Sequence, residues 1–387
     1  MVKRMKMCAM KAFMEFYEHC YGSSRWEVLL EALKKPMRSI ALMNKFAVED
    51  DCKRVLGIER SECSQFLPNY QYGYRHIEEE VAKIRKDEAE EGRIGVSEEL
   101  YPWPSPSLPS SLDRNNLYCY YPLDGASIFP VLALNLTPTS KVFDMCAAPG
   151  GKSLVILSYL DLPRGGFLGC CDISSSRRRR LTHTFQNYLP PALSSSIRIL
   201  SGDASSPSLY HQHPDLFSSS QSFFDRILVD APCSSERHLL NSSTELAKWS
   251  SNRSKVNSKR QFSLLYHALN ICAIPGRVVY STCSLNPQEN DDVVRRVLKY
   301  MKKKFQKLQF EKEGEKGSMP HITLVEGDSM KIPFGEKTEC GWIILPDKCD
   351  GMGPIYFAAL DLQHVERGRE TNLVKKTNRK RGQQVKE

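Results

Sequence analysis

Five short, β-rich apolar runs separated by helical stretches occupy the middle of this 387-residue chain and restrict its fold more than any other feature. They are Lys141–Met145, Gly166–Cys171, Ile197–Leu200, Phe224–Asp230 and Arg277–Cys283, with helices predicted at about 152–160, 174–188 and 257–273. Such alternation builds a parallel sheet with helices on both faces. Two later runs, Gly341–Pro346 and Pro354–Leu360, are close enough in sequence to form an antiparallel hairpin at the sheet edge. Asp124 can cap a helix running to Leu136, and Pro130 within it demands a kink or a late start.

Upstream the pattern is mostly helical from residue 8 to about 90. Trp26, Leu29, Leu30 and Leu33 line one helical face, and Ile77, Val81 and Ile84 do the same inside the acidic stretch Glu78–Glu91. Prolines and serines then crowd Tyr101–Ser111, where neither a helix nor a central strand can continue. The expected organisation is a helical segment over 1–100, a linker over 101–115, a catalytic domain over 116–363 and a basic, disordered tail over 364–387.

The net charge of +9 gathers at Arg177–Arg180, Arg253–Arg260 and the tail, which favours a polyanionic partner. Lys375–Arg381 reads as a nuclear signal, an RNA contact or a solvated run. No apolar run approaches about 18 residues, so no membrane span is expected. The 13 cysteines are odd in number and contain no CxxC pair, which argues against both a disulfide framework and a zinc site. The basic N-terminus is compatible with a weak organelle-targeting segment.

Ligands of an open α/β sheet bind at the carboxyl ends of its strands. The first strand ends in Asp144-Met-Cys-Ala-Ala-Pro-Gly-Gly-Lys-Ser153, and this loop opens a helix. Its glycines admit a ligand close to the backbone, and the helix start presents free N–H groups. The next strands lead to Asp172, Asp203 and Asp230. A carboxylate after the second strand suits ribose hydroxyls. Carboxylates also suit a cation such as the sulfonium of S-adenosylmethionine, and they would repel a triphosphate. A P-loop nucleotide hydrolase is the competing reading, since Cys146–Ser153 departs from GxxxxGK[ST] only at its first position. Cys146 in place of that glycine, and Pro149 with no N–H to donate, weigh against it.

Cys233 follows a proline just after Asp230, and Cys283 ends the fifth strand. Adjacent strand ends can bring both thiols to one pocket. A thiolate can add to carbon-6 of a pyrimidine and make carbon-5 nucleophilic, and a second thiol or another base can then help release the product. The alternative is that both are small buried hydrophobes, the usual state of a free cysteine.

These residues resemble the Fmu/Sun family of RNA cytosine-5 methyltransferases. The matching motifs are Asp144–Lys152, Asp172 with Arg177, Asp230-Ala-Pro-Cys233 and Ser281-Thr-Cys-Ser284, within roughly 116–363. The resemblance implies a class I, Rossmann-like fold with a seven-stranded, mostly parallel sheet, and S-adenosylmethionine as cofactor. It implies that Cys146, Ala147, Ala148, Pro149, Gly150, Gly151 and Lys152 wrap the donor's methionine part. Asp172 would hold the ribose with Arg177 nearby, and Asp203 would lie beside the adenine. Asp230 would touch donor and target base, Cys283 would be the nucleophile and Cys233 would serve product release.

Segments such as Ala41–Phe46 and Tyr120–Ser127 extend the likeness to the animal mitochondrial branch, whose members act on small-subunit rRNA or on methionine tRNA. Cys233–His238 is more similar to the rRNA enzyme, and Leu345–Lys348 to the tRNA enzyme. Mitochondrial localisation follows from that likeness, with the nucleus or cytoplasm as alternatives. A target cytosine must be flipped out or already single-stranded. Many family members carry Ser-Gly-x-Gly after the Pro-Cys pair, whereas this chain has Ser234-Ser-Glu-Arg-His238, and residues 241–256 read as an inserted loop. A non-catalytic RNA-binding or assembly factor on the same fold is the remaining alternative, and the two intact thiols argue against it.

Overall fold

A computed structural model of the chain describes residues 2–35, 37, 39–56, 112–217, 222–247, 249–311, 318–325, 335–349 and 351–366. The expected helix around Ile77–Ile84, most of the proline-rich linker and the basic tail beyond Glu366 lie outside the described residues.

The chain begins with helices α1 (Val2–Tyr21) and α2 (Ser23–Lys34), strand β1 (Ser39–Met43) and helix α3 (Glu49–Leu56). Trp26, Leu29, Leu30 and Leu33 are all buried, as their spacing predicts. The segment is mostly helical, as expected, with β1 as an unexpected strand within it. That strand pairs antiparallel with β2 (Tyr120–Asp124), Ile40 standing opposite Leu123. Local sequence does not reveal the pairing, because its partner lies some 80 residues away. Phe13, Tyr17 and the α2 face join the same apolar cluster as Trp249, Tyr280 and Leu285.

Asp124 accepts a hydrogen bond from the Ala126 amide and opens a short 3₁₀ turn. The following helix α4 (Phe129–Ala133) begins late, with Pro130 in its first turn, where its missing N–H is harmless. The expected alternation then unfolds: β3 (Lys141–Asp144), α5 (Gly151–Tyr159), β4 (Phe167–Asp172), α6 (Ser175–Tyr188), β5 (Ile197–Ser201), α7 (Pro207–Gln212) and β6 (Arg226–Asp230). Helices α8 (Glu236–Asn241), α9 (Ser243–Leu246) and α10 (Ser251–Ile271) precede β7 (Gly276–Thr282). The chain continues through α11 (Asp291–Glu311), β8 (Ser318–Leu324), β9 (Glu336–Lys337), β10 (Trp342–Ile344) and β11 (Ile355–Glu366).

The strands run in the order β5-β4-β3-β6-β7-β11-β10-β9, with β8 pairing with β11. The first five are mutually parallel and the rest antiparallel. Among the described residues the sheet has nine strands, two more than expected. The extra pair, β8 and β9, consists of short or polar edge segments without a clear apolar alternation. The predicted hairpin forms as β10–β11, with Trp342 opposite Phe357. The stretch read as an inserted loop at 241–256 contributes α9 and the first turn of α10. Trp249 within it packs its ring 5.4 Å from that of Phe13. No helix among the described residues is long and apolar enough to cross a membrane.

Candidate active site

Parallel register brings the strand-end carboxylates to one edge. Asp144 ends β3 beside Cys170 of β4 on one side and Leu228 of β6 on the other. Asp172 ends β4, and Asp230 ends β6 opposite Ser281. Asp203 lies two residues beyond β5.

The loop after β3 turns on Gly150, whose φ of 119° lies in the region that glycine alone visits freely. A cavity of about 190 Å³ opens against this loop, bounded by Cys146, Ala147, Ala148, Pro149, Gly151 and Lys152 together with Asp144 and Asp230. A side chain at Gly151 would meet the Tyr121 ring at 3.0 Å, so the loop needs its small residue there. The Ser153 hydroxyl donates to Asp144 Oδ2 at 2.7 Å, while Asp144 Oδ1 has no hydrogen-bond partner among the described residues. Burial, aided by the charge of Asp230, pushes the Asp144 carboxyl up to about 7. Burial also pushes the Cys146 thiol well above its ordinary value.

Asp172 and Asp203 do not line this cavity. Asp172 accepts from the Ser174 amide at 2.9 Å and pairs with Arg177 at 3.1 Å, and that arginine also donates to the Ala148 carbonyl. Arg177 therefore ties the second strand end to the glycine loop. The adjacent Arg178 donates to the Asp172 carbonyl, while Arg179 and Arg180 are exposed, so half of the arginine run faces solvent. Asp203 accepts from the amide and hydroxyl of Ser205 and faces Arg260 at 3.7 Å.

Lys152 Nζ donates to Asp230 Oδ2 at 2.9 Å, and the Ser281 hydroxyl donates to Oδ1 at 2.8 Å. Burial opposes the charge on Lys152, yet the Asp230 carboxylate outweighs it and holds the ammonium above its ordinary pKa. A lysine already neutralised by a carboxylate, in a loop with a proline, does not make a phosphate cradle.

The two thiols meet. Cys233 Sγ and Cys283 Sγ stand 3.1 Å apart, and neither residue is fully buried. The Cys283 amide donates to Cys233 Sγ at 3.3 Å, and Ser235 Oγ lies 3.4 Å from Cys283 Sγ. The Cys233 thiol donating to its neighbour, the Ser235 hydroxyl and the Lys152 charge all favour a thiolate on Cys283. They outweigh burial, so its pKa falls below the usual thiol value while that of Cys233 rises well above it. Cys283 does not itself line the cavity.

Beneath the thiols lie two buried carboxylates that sequence reasoning missed. Glu236 accepts from the Tyr17 hydroxyl at 2.5 Å, the Leu285 amide at 2.8 Å, the Ser284 hydroxyl at 3.2 Å and the Ser234 hydroxyl. Glu289 accepts from the Ser234 amide at 3.1 Å and from Gln261 at 2.8 Å. Burial, with the charge of Glu236, raises its pKa. Apart from Ser234, two residues before Glu236, their partners lie 28 to 219 residues away, so no local pattern could have found them. The departure from Ser-Gly-x-Gly is absorbed in the backbone: Ser235 takes φ 55° and ψ 64°, a left-handed conformation natural to glycine.

A family profile described as 16S rRNA methyltransferase RsmB/F matches residues 131–332. The mitochondrial tRNA (cytosine(34)-C(5))-methyltransferase of Mus musculus is 30% identical over 277 residues, covering 69% of this chain and 71% of the mouse protein. The 5-cytosine rRNA methyltransferase NSUN4 of Bos taurus is 30% identical over 264 residues, covering 65% of this chain and 62% of its own length. The Danio rerio mitochondrial tRNA enzyme is 32% identical, with 60% of its length covered, so the chain spans less than two thirds of these last two relatives.

Among solved structures, NSun6 from Pyrococcus horikoshii with SFG superposes with a TM-score of 0.59 at 18% identity, covering 90% of this chain and 97% of that one. A methyltransferase homologue from Pyrococcus horikoshii gives 0.52 at 19%, covering 88% and 92%. These two likenesses establish the class I methyltransferase fold. The family profile and the curated relatives carry the assignment further: the chain belongs to the RsmB/F (Fmu/Sun) family of RNA cytosine-5 methyltransferases.

Proposed function

We propose that this protein methylates carbon-5 of a cytosine in RNA through a covalent adduct on Cys283, with S-adenosylmethionine as donor. The observation that carries the reading is the pair of sulfurs 3.1 Å apart at the ends of neighbouring strands, beside the Lys152–Asp230 ion pair. The donor loop fits a cationic, hydrogen-bond-donating ligand: Asp144 leaves a buried oxygen unpartnered at the cavity, and Asp172 stands at the next strand end. Asp144 and the Cys146–Lys152 backbone would hold the donor's methionine end, Asp172 with Arg177 its ribose, and Asp203 its adenine side. The donor supplies an electrophilic methyl group on a positively charged sulfur.

The chain's own groups do the rest. The Cys283 thiolate adds to carbon-6 of the cytosine, forming a C–S bond and moving electron density to carbon-5. Asp230, held by Lys152 and Ser281, faces the base and steadies it during this addition. After carbon-5 is methylated, its proton must leave. Cys233 is placed to assist that loss, whereupon the C–S bond breaks and Cys283 leaves as thiolate.

Incubating the protein with labelled donor and RNA should put the label on carbon-5; label on a ring nitrogen or on the sugar would refute the reading. Cys233→Ala should trap a covalent RNA adduct that survives denaturing electrophoresis, and Cys283→Ala should form none.

The RNA is a mitochondrial small-subunit rRNA or a mitochondrial methionine tRNA, and the protein is mitochondrial. One relative named as a mitochondrial tRNA (cytosine(34)-C(5))-methyltransferase supports a tRNA target and the compartment, and one named as a 5-cytosine rRNA methyltransferase supports an rRNA target. Bisulfite sequencing of mitochondrial RNA with and without the protein decides between the two, and an unchanged mitochondrial methylation pattern would refute the placement. The exposed cations of Arg179, Arg180, Lys255 and Lys259 are candidate contacts to the RNA backbone.

A further inference from the structure

Ser235 occupies the turn between Cys233 and α8, and three observations about it do not fit a merely structural role. Its backbone is left-handed, at φ 55° and ψ 64°. The other non-glycine residues with positive φ among the described residues are Asn116 and Asn135, and asparagine tolerates that region far better than serine. Ser235 also stands at the N-cap of α8, where a serine ordinarily accepts a hydrogen bond from a backbone amide of the first turn, yet its side chain makes no such cap. Its hydroxyl lies instead 3.4 Å from Cys283 Sγ. Glycine would relieve the backbone, and a capping rotamer would satisfy the helix. This serine does neither and points at the reacting sulfur.

We propose that Ser235 is a further positioning residue of the methyl transfer, its hydroxyl donating a hydrogen bond to the Cys283 thiolate and fixing the direction from which that sulfur meets the base. This rests on the assignment of Cys283 as nucleophile. The hydroxyl complements the Cys233 thiol on the other side. The structure places both groups of one turn, the Cys233 thiol and the Ser235 hydroxyl, against the sulfur, where each can donate once Cys283 is a thiolate, while Ser234 between them points its hydroxyl to Glu236. The turn thereby links the buried carboxylate network to the nucleophile.

The test uses the full-length protein as wild type, Ser235→Gly and Ser235→Ala. Iodoacetamide alkylation of residues 283 and 233 is followed separately by peptide mass spectrometry across pH, because the thiolate is the reacting form. Loss of the donor should raise the alkylation midpoint of residue 283 by roughly half to one pH unit in both variants. That slows its alkylation at pH 7 by about three- to tenfold. The acidic limb of the methylation rate should move up with it. The melting temperature should rise in Ser235→Gly, where the backbone is relieved, and hold or fall in Ser235→Ala. Ser235→Asn, which tolerates the left-handed backbone and restores a donor, should bring the midpoint back towards wild type. Midpoints for residue 283 that coincide with wild type in both the Gly and Ala variants would overturn the proposal, as would a midpoint shift confined to residue 233. Failure of the nucleophile assignment reads differently: Cys283→Ala would then retain methylation, whatever the alkylation midpoints do.

Discussion

The loop Cys146–Lys152 and the turn Cys233–Glu236 face the same edge of the sheet but are built by different means. The loop frames an open cavity with backbone and small residues, and Asp144, which lines that cavity with Asp230, keeps an oxygen unpartnered among the described residues. The turn is filled instead: two buried glutamates collect hydroxyl and amide donors from α1, α10 and the segment after β7, and the thiols rest on that network. The difference follows from what each side must do. A small ligand that enters and leaves needs space and a few free polar atoms. A nucleophile that must meet one ring carbon needs a fixed sulfur, and the many long-range hydrogen bonds to Glu236 and to Glu289 Oε2 stiffen the turn, although Glu289 Oε1 has no partner among the described residues.

The contrast can be broken first at the sulfur. Cys283→Ala should reduce methylation by more than about a thousandfold while leaving donor binding, measured by calorimetry, within about twofold. A comparable loss of donor affinity would mean the two sides are not separable. The next largest effect belongs to the network: Glu236→Leu strands the Tyr17 hydroxyl and the Leu285 amide in a dry interior. It should cost about 2–4 kcal/mol of stability, read as a lower denaturation midpoint. An unchanged midpoint would show that the thiol side does not depend on this carboxylate.

Asp230 belongs to both sides, through Lys152 and through Ser281. Asp230→Asn should lower kcat by about a hundredfold with a smaller change in donor affinity. The smallest effect concerns pH. Asp144 is held near 7 by burial, so donor affinity that depends on its charge should rise by about tenfold between pH 6 and pH 8, and Asp144→Asn should abolish that rise. The same shift has a sign for stability. A carboxyl whose folded pKa exceeds its unfolded one contributes fully below about 4, and its contribution is lost as pH climbs through about 7. The unfolding free energy of the wild type should therefore fall over that window, and the Asn variant should show a shallower slope.

How much of this was legible in the sequence tracks the distance along the chain over which each feature is encoded. The parallel strands β3 to β7, the glycine loop, the strand-end aspartates and the edge hairpin each rest on a few consecutive residues, where hydrophobic period, glycine and proline act locally. The glycine loop could be read as a unit because Asp144 through Ser153 are contiguous. Strand β1 escaped notice because a five-residue apolar run beside helices has no preference until a partner is supplied, and Tyr120–Asp124 supplies it only in the folded chain.

For this protein, then, local sequence determined the α/β alternation, the glycine loop after β3 and the presence of two cysteines at strand ends, because backbone preference and binary patterning act over a few residues. Tertiary structure alone decided that the sulfurs would lie 3.1 Å apart and that Tyr17 of the first helix would brace Glu236 beneath them. It also decided that Ser235 would turn its hydroxyl to Cys283. Those contacts join residues up to 219 positions apart. Their energies depend on burial, and burial exists only once the sheet has closed over its core.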